Sequence, residues 1–326
     1  MTTKKKKVQL LDIIPIIILV ALIIIFAIIS GGTSLSSYNV GNVIVQIVPT
    51  LIGALGVVFV VALGGTDISI GASAAMCATI GTLLAVKAGV SWLMVPVTLI
   101  LTMLVGLAIG TLVSKCKVSS FMLTLAILIA ARGFLNFMLS KDVIYTPAGL
   151  EIFSTTWFAI VLLIIAVVVV YFVFEKTAFG YYCKCIGENE RTVRSVGINV
   201  DKIRIICFII SGLFAGIVGI TQLCRVGGST NTLCNMLEMR VQMAIFLGGI
   251  LTTGGFSAKL YKVIIGSITI TVIENGLTIC QVSSSVSEAI EGILLVIILC
   301  TTIYFNNVSE RHAVKLSMND TTEVVE

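Results

Sequence analysis

The sequence predicts an all-α integral membrane protein with about ten membrane-spanning helices. Of its 326 residues, 58% are hydrophobic and only 11% are charged, and the mean hydropathy is +1.13. A soluble domain has about 25% charged residues, so this chain has too few charges to cover its own surface in water. The apolar residues form long continuous runs, which are typical of helices rather than of an outer-membrane barrel with its alternating segments.

A helix of about 20 apolar residues crosses a bilayer, and runs of roughly that length recur along the chain. The eighth run is shorter than the others, so it is either a full crossing or a re-entrant segment. The ten predicted spans are residues 12–30, 43–63, 68–88, 92–113, 119–139, 154–174, 203–223, 239–252, 262–281 and 287–305.

The first span follows a basic stretch, Lys4 to Lys7, and this combination also begins a secretory signal peptide. However, the apolar run is longer than a signal-peptide core, and Ser30-Gly31-Gly32 is a poor substitute for a cleavage site. We therefore interpret the run as an uncleaved span that follows a short N-terminal tail, residues 1–11.

The basic residues predict the orientation, because cytoplasmic loops of membrane proteins carry an excess of Lys and Arg. With both termini in the cytoplasm, 16 basic residues fall on the cytoplasmic side, and only Lys87, Lys141 and Arg225 fall on the outer side. This bias predicts a multi-pass protein of the cytoplasmic membrane. It has a single transmembrane domain, residues 12–305, and a polar cytoplasmic tail, residues 306–326.

The residue types exclude several classes of function. His312 is the only histidine and the nine cysteines form no CxxC pair, so no metal site is expected. No Gly-x-x-x-x-Gly-Lys-Ser/Thr loop occurs, so the chain is not expected to bind and split ATP itself, and no catalytic triad is visible. The net charge of +5 is explained by the cytoplasmic loops, so nucleic acid is not expected as a partner.

One polar, charged segment, at about residues 175–202, interrupts the apolar sequence between the sixth and seventh spans. Within it, Asn189 is a suitable N-cap residue and Glu190 suits the first turn of a helix. Gly197 is a plausible C-terminal stop. The pattern predicts one or two turns of helix on the cytoplasmic side.

This short helix is predicted to be amphipathic. Val193 and Val196 fall on one face, and Arg191 and Arg194 lie beside them. Helices of this length are marginal on their own, so a cytoplasmic partner with a groove would explain its presence. The alternative is a solvated connector that only satisfies the charge bias of the loops.

Asp67 follows Gly64-Gly65-Thr66 at the end of an apolar span. A carboxylate within the membrane is tolerated where it faces protein, water or a substrate path, and helix breaks are tolerated under the same conditions. We interpret Gly64 to Gly71 as a helix break near a translocation path. The alternative is that Asp67 only caps the next helix, and both roles are compatible.

Three further polar residues are predicted within or at the edge of spans. Arg132 is expected to pair with a carboxylate or to extend to the outer surface, and a structural role is favoured. Glu238 is predicted near the outer side, where a substrate would be delivered. Asn275 is expected to form a structural hydrogen bond between helices.

The stretch "GENERTVRSVGINVDKIRIICFIISGLFAGIVGI", Gly187 to Ile220, resembles the permease subunits of ATP-driven monosaccharide importers of the ribose, xylose and galactoside type. "GGTDISIGASAAMCATIG" and "SFMLTLAILIAARGFLNFML" are similar to two further motifs of that family, and the resemblance covers about residues 43–305. The positions that match in the first stretch are Gly187, Asn189, Glu190, Arg194, Gly197, Ile198, Asn199, Val200 and Asp201.

The resemblance implies the ABC importer permease fold, which has interrupted helices, and the import of a monosaccharide. It implies no cofactor in this chain, since ATP and Mg would be bound by a partner ATPase. The implied partners are a cytoplasmic ABC ATPase, an extracytoplasmic sugar-binding protein, a second permease subunit, the sugar and membrane lipid. The ATPase-coupling residues would be Gly187, Glu188, Asn189, Glu190, Arg191, Arg194, Gly197, Asn199 and Asp201. The residues of the pathway or of helix breaks would be Gly64, Gly65, Thr66, Asp67, Ser69, Gly71, Phe121, Thr124, Arg132, Glu238, Gly248, Gly249 and Asn275.

Several points stay open at the level of sequence. The later motifs depart from the family pattern, for instance at Arg240, where an Asp is usual, so both a homodimer and a heterodimer are compatible. A related machine for a nucleoside, a signalling furanose or an amino acid is one alternative function, although the sugar-type loop argues against an amino acid. Less favoured alternatives are a secondary transporter driven by an ion gradient and a membrane scaffold that transports nothing.

Overall fold

The computed structural model describes residues 10–140, 144–283, 286–290, 292–294, 296–297 and 300. Within this part of the chain the named helices follow one another with short connections. They are α1 (Leu10–Ile29), α2 (Ser37–Ala62), α3 (Ile70–Ala88), α4 (Met94–Lys115), α5 (Ser120–Leu139), α6 (Thr156–Val170), α7 (Ala178–Glu188), α8 (Glu190–Ser195), α9 (Val200–Val226), α10 (Leu237–Leu247) and α11 (Leu260–Ile279).

Seven helical segments of the described residues are long and apolar enough to cross a membrane. They correspond to α2, α3, α4, α5, α6, α9 and α11, with α4 and α6 each extended by a short flanking helical segment. The prediction of an all-α, multi-pass membrane protein is therefore confirmed. The first predicted span corresponds to α1, and of the tenth only about half of the residues are described.

The eighth predicted span is represented by α10, which has only 11 residues. At about 1.5 Å of rise per residue, such a helix reaches roughly half the thickness of the hydrocarbon core. It is followed by a segment without regular helix that leads to α11. α10 is thus too short to cross by itself, in agreement with the re-entrant alternative.

Helices α2 and α9 form the centre of the bundle. The second half of α2 is buried on all sides, and α9 packs against α2, α3 and α4. Glycines permit the closest approach, because an added Cβ at Gly212 would lie 2.3 Å from the Thr102 carbonyl oxygen and one at Gly106 would lie 2.2 Å from the Phe208 carbonyl oxygen. Small residues at membrane helix interfaces let two backbones pack together in this way.

One end of the bundle gathers the elements of the polar segment, and we call it the α8 end. Contacts there join the end of α2 to α7, the end of α4 to the start of α9, and the end of α6 to the start of α11. The opposite end carries the α3–α4 connection and the segment after α9, where Tyr145 and Gly228 form an isolated antiparallel bridge.

Candidate functional site

The polar segment folds as a helix pair that leads into α9. The side chain of Asn189 caps α8 by accepting a hydrogen bond from the Thr192 N–H at 3.1 Å, and that of Asn199 caps α9 by accepting one from the Lys202 N–H at 3.0 Å. Gly197 follows α8 with a φ of +83°, a left-handed conformation that favours glycine. The predicted helix start at Asn189 and stop at Gly197 are confirmed.

Four charged side chains tie α8 to the first turns of α9. Arg194 donates to the Glu190 carboxylate at 3.0 Å and to the Asp201 carboxylate at 2.7 Å, and Arg204 donates to Glu190 at 2.7 Å. Arg191 is exposed and points to no partner of this network. Exposed ion pairs contribute little stability, so the network fixes the orientation of α8 more than it strengthens the fold.

The electrostatics keep this network charged at neutral pH. Partial burial raises the pKa of the Glu190 carboxyl, but hydrogen bonds from Arg194 and Arg204 outweigh it and leave that pKa below its usual range. Hydrogen bonds to Asp201 and Glu190 raise the pKa of the Arg194 guanidinium. Glu190 is therefore a carboxylate and Arg194 a cation under physiological conditions.

The apolar face of α8 is narrower than predicted. Val193 is buried, whereas the side chain of Val196 is 69% exposed. The reason is that α8 ends at Ser195, so Val196 leaves the helical path before it reaches the face of Val193. Val196 and Arg191 are both exposed and thus available for contact with another protein.

The helix before α8 is seated on the bundle by close backbone contact. An added Cβ at Gly187 would lie 2.1 Å from the Ala62 carbonyl oxygen and 2.5 Å from the Gly255 nitrogen. The Glu188 carboxylate accepts a hydrogen bond from the Phe256 N–H at 2.9 Å. The end of α7 is thus joined to the end of α2 and to the segment between α10 and α11.

Two residues that the sequence did not single out fix the other side of α7. Lys184 is buried and lies 2.6 Å from the Glu175 carboxylate, and its ammonium group stands 4.4 Å from the centre of the Phe174 ring. The second oxygen of Glu175 accepts from the Leu260 N–H, the first of α11, at 3.0 Å. A lysine–glutamate pair nine residues apart crosses an irregular turn, so helical spacing gave no signal for it.

A cavity of about 720 Å³ joins the α8 end to the break after α2. Its lining includes Gly64 and Gly65 from the break and Ser120 from the start of α5, together with Arg194 and Arg204 from the charged network. Some of the residues predicted for the coupling loop and for the pathway therefore meet at one place.

The predicted helix break is confirmed, and Asp67 is buried within it. α2 ends at Ala62 and α3 begins at Ile70, and Gly64 between them has a φ of +77°. The Asp67 carboxylate accepts hydrogen bonds from the Ser69 N–H at 3.0 Å and from the Ser69 and Ser211 hydroxyls at 2.7 and 2.6 Å.

Asp67 therefore connects three elements. Besides its contacts with Ser69 and with Ser211 of α9, its backbone carbonyl accepts from the Gln242 amide of α10 at 3.1 Å. The sequence did not identify Ser211 or Gln242, because nothing local relates α9 and α10 to the break. The Asp67 carboxylate accepts no hydrogen bond from the first turn of α3, so its role here is to link the break to α9 rather than to cap α3.

Arg132 pairs with a carboxylate, which is one of the two roles predicted for it. Its guanidinium donates to the Leu233 and Cys234 carbonyl oxygens at 2.7 and 2.6 Å and lies 3.8 Å from Glu238. Glu238 is buried against the Gly71 backbone in the first turn of α3, so it contacts protein there, and its place near the outer side stays a prediction. The segment before α10 dips into the bundle and carries Glu238 with it.

The remaining residues predicted for the pathway do not converge on one cavity. Thr124 is buried and donates to carbonyls of its own helix, whereas Phe121 is 50% exposed. Gly248 packs on the Lys262 carbonyl oxygen, and Gly249 has a φ of +80°. Thr66 donates its N–H to the Ser120 hydroxyl at 3.1 Å. Gly248 therefore serves close helix packing, and Gly249 permits a turn of the backbone.

Asn275 forms the interhelical hydrogen bond that was predicted. It exchanges two amide hydrogen bonds with Asn39 of α2, at 2.8 and 3.0 Å. Asn275→Leu is expected to destabilise the protein by about 1 kcal/mol, because it leaves the buried Asn39 amide without this partner. Unfolding titrations with sodium dodecyl sulfate should show that Asn39→Leu with Asn275→Leu costs less than the sum of the two single changes. Strict additivity would contradict the pairing.

Comparison with known protein families gives a match that covers most of the chain. Residues 39–299 match the family described as branched-chain amino acid transport system / permease component. The chain belongs to this permease family. The match begins in α2 and extends beyond α11, so it includes both the polar segment and the helix break.

Individual relatives of the permease are sugar and signal importers. The ribose import permease of Haemophilus influenzae is 28% identical over 277 residues, which cover 81% of this chain and 85% of the relative. The galactose/methyl galactoside import permease of Escherichia coli is 27% identical over 306 residues, 86% and 91% of the two chains. The autoinducer 2 import permease of Photorhabdus luminescens is 29% identical over 260 residues, 76% of each.

These relatives confirm the resemblance to monosaccharide importer permeases that the loop motif indicated. No solved structure matches the permease significantly. Membership of the permease family makes the chain a transport subunit and not itself an enzyme.

Proposed function

We propose that this permease is the transmembrane subunit of an ATP-driven importer that carries a monosaccharide, a ribose-like pentose or a hexose, across the cytoplasmic membrane. The observation that carries the proposal is the helix pair α7–α8. It carries the charged residues of the polar segment and contacts α2, α9 and the segment before α11. A displacement of this pair is thus transmitted directly to the helices that form the bundle.

The force would come from a cytoplasmic ABC ATPase that grips α8. Arg191 and Val196 are exposed on it, while Asn189 and Gly197 fix its two ends. ATP and Mg would bind to the ATPase and not to this chain. Binding and hydrolysis of ATP would then shift the populations of inward-open and outward-open states, because each nucleotide state of the ATPase favours one orientation of the pair.

The proposal includes an orientation and two further partners. The α8 end would face the cytoplasm together with both termini, in agreement with the 16 basic residues assigned to that side. A sugar-binding protein would deliver the solute at the opposite end. A second permease subunit, the same or a related chain, would complete the path.

The test is co-purification of a cytoplasmic ATPase with the permease, followed by uptake in liposomes. Glu190→Lys places a cation next to Arg194 and Arg204 and should reduce the amount of bound ATPase by at least about tenfold. Glu151→Lys, an exposed acidic residue at the opposite end, is the matched control and should retain it. The proposal fails if no ATPase associates while uptake follows a proton or sodium gradient.

The same machine with a different cargo is the second candidate. The autoinducer 2 permease among the relatives favours a signalling furanose as the alternative solute. Uptake of a labelled panel of pentoses, hexoses and a signalling furanose by the reconstituted complex distinguishes the two, because the solute that is taken up identifies the cargo.

A further inference from the structure

A second polar cavity, of about 480 Å³, opens between α2, α9, α10 and α11. We call it the outer groove. Its size falls within the usual range for pockets that bind small molecules. Apolar side chains such as Pro49 and Val282 form part of its wall. The charged and amide side chains that line it are Gln46, Gln222, Arg225, Arg240, Glu274 and Glu288.

The outer groove lies away from the α8 end. Arg225 occupies the last turn of α9, and Gln46 lies in the first half of α2, whereas the α8 end contains the start of α9 and the end of α2. Under the proposed orientation the groove therefore opens in the outer half of the membrane. This is the side at which a binding protein would release its solute.

The charges in the groove are balanced. Two arginines and two glutamates contribute no net charge, and Arg240 forms an ion pair with Glu274 that connects α10 to α11. Arg225 is anchored to α2 through the Val45 carbonyl oxygen at 3.5 Å. A site for an anion or a cation would require an excess of the opposite charge, so this composition suits an uncharged ligand.

Lipid alone does not explain these side chains. The Arg240 side chain is 41% exposed and that of Glu274 18% exposed. Charged side chains within the membrane cost several kcal/mol when they face hydrocarbon and are found instead at water-filled cavities or protein contacts. The charged walls of the groove are therefore expected to face water, a polar ligand or another protein rather than hydrocarbon.

We propose that the outer groove is a binding site for a neutral polyhydroxylated solute, and this inference rests on the proposed function in sugar import. A sugar hydroxyl is both a donor and an acceptor of hydrogen bonds. Arg225 and Arg240 supply donors, Glu274 supplies acceptors, and the Gln46 and Gln222 amides supply both. The zero net charge disfavours phosphorylated sugars and carboxylate solutes, so the groove selects for uncharged solutes.

The experiment measures protection of a thiol in the groove of the reconstituted complex. Thr278 lines the groove and is exposed, so Thr278→Cys should react with N-ethylmaleimide. D-ribose, D-xylose and D-galactose are the probes, and mass spectrometry of the labelled peptides reads each cysteine separately. Cys116, a native exposed cysteine beyond the end of α4, is the internal control.

At least one of the three sugars should slow the labelling of Thr278→Cys by about fivefold or more without changing that of Cys116, and D-ribose 5-phosphate should not. Adding Glu274→Gln or Arg240→Gln should remove the protection, whereas adding Glu151→Gln should leave it. Retained protection in both groove variants, or equal protection by the phosphate, overturns the inference.

Failure of the two proposals can be told apart. If the complex takes up a sugar with ATP but no sugar protects Thr278→Cys, the groove is not the binding site and the importer function stands. If the complex takes up none of the three sugars with ATP, the proposed function fails, and the inference that rests on it fails too.

Discussion

Arg132→Leu is expected to lower the free energy of unfolding by about 3–5 kcal/mol, one of the two largest effects anticipated in this permease. The change removes hydrogen bonds to the Leu233 and Cys234 carbonyl oxygens and leaves Glu238 as a buried carboxylate without its cation. An uncompensated buried charge accounts for most of the cost. Titration of the purified protein with sodium dodecyl sulfate, followed by circular dichroism, measures the difference.

A double variant separates the charge from the packing. Arg132→Leu combined with Glu238→Leu removes both ions, so it should be more stable than Arg132→Leu alone, although the two carbonyl oxygens still lack their donor. If the double variant is no more stable than the single one, the ion pair between Arg132 and Glu238 does not carry the effect.

The fold was predictable where a long apolar run forms a helix by itself. The predicted third span, residues 68–88, became α3 at Ile70–Ala88, and the predicted fifth, residues 119–139, became α5 at Ser120–Leu139. In these segments length and hydrophobicity decide the outcome, since a helix satisfies all its backbone hydrogen bonds within the membrane. Long-range contacts are not needed to locate them.

The sequence was less informative where a segment leaves its helix inside the bundle. Residues 227–236 precede α10 and bring Glu238 next to Gly71 and Arg132, contacts that hydropathy did not predict. Hydropathy averages over a window and does not detect which carbonyls a buried arginine will bind. Glu238 lies beside Arg132, which is 106 positions earlier in the chain, so this pairing has no local signature.

The candidate site likewise combines features that are local in the sequence with contacts between distant segments. The caps at Asn189 and Asn199 and the turn at Gly197 are local features, and residue type alone predicts such features. The contacts of α7 are not local, because Gly187 meets Ala62 and Gly255 only in the folded chain. A sequence indicates that α8 exists, whereas only the packing of α7 indicates how its movement reaches the bundle.

Gly187→Ala is expected to reduce ATP-driven uptake by at least about tenfold, which corresponds to about 1.4 kcal/mol. The added methyl group would lie 2.1 Å from the Ala62 carbonyl oxygen and 2.5 Å from the Gly255 nitrogen. Both are backbone atoms and cannot rotate away as a side chain can. α7 must therefore move away from its contacts with Ala62 and Gly255. Overpacking of this kind costs about 1–3 kcal/mol, which is small enough for the bundle to stay folded.

Gly133→Ala is the matched control, because Gly133 is also a helical glycine but an added Cβ there meets nothing within 4 Å. Alanine favours a helix over glycine by about 1 kcal/mol, so this variant should be as stable as the original protein or more stable, and its uptake should be unchanged.

In the Gly187→Ala complex the ATPase should still bind and hydrolyse ATP, since α8 itself is intact, but hydrolysis should no longer drive uptake. Uptake at the original rate by Gly187→Ala would mean that force does not pass through the contact of α7 with α2. Loss of uptake by both glycine variants would mean that any added methyl group disturbs the transporter. The contact of α7 with Ala62 and Gly255 would then have no special role.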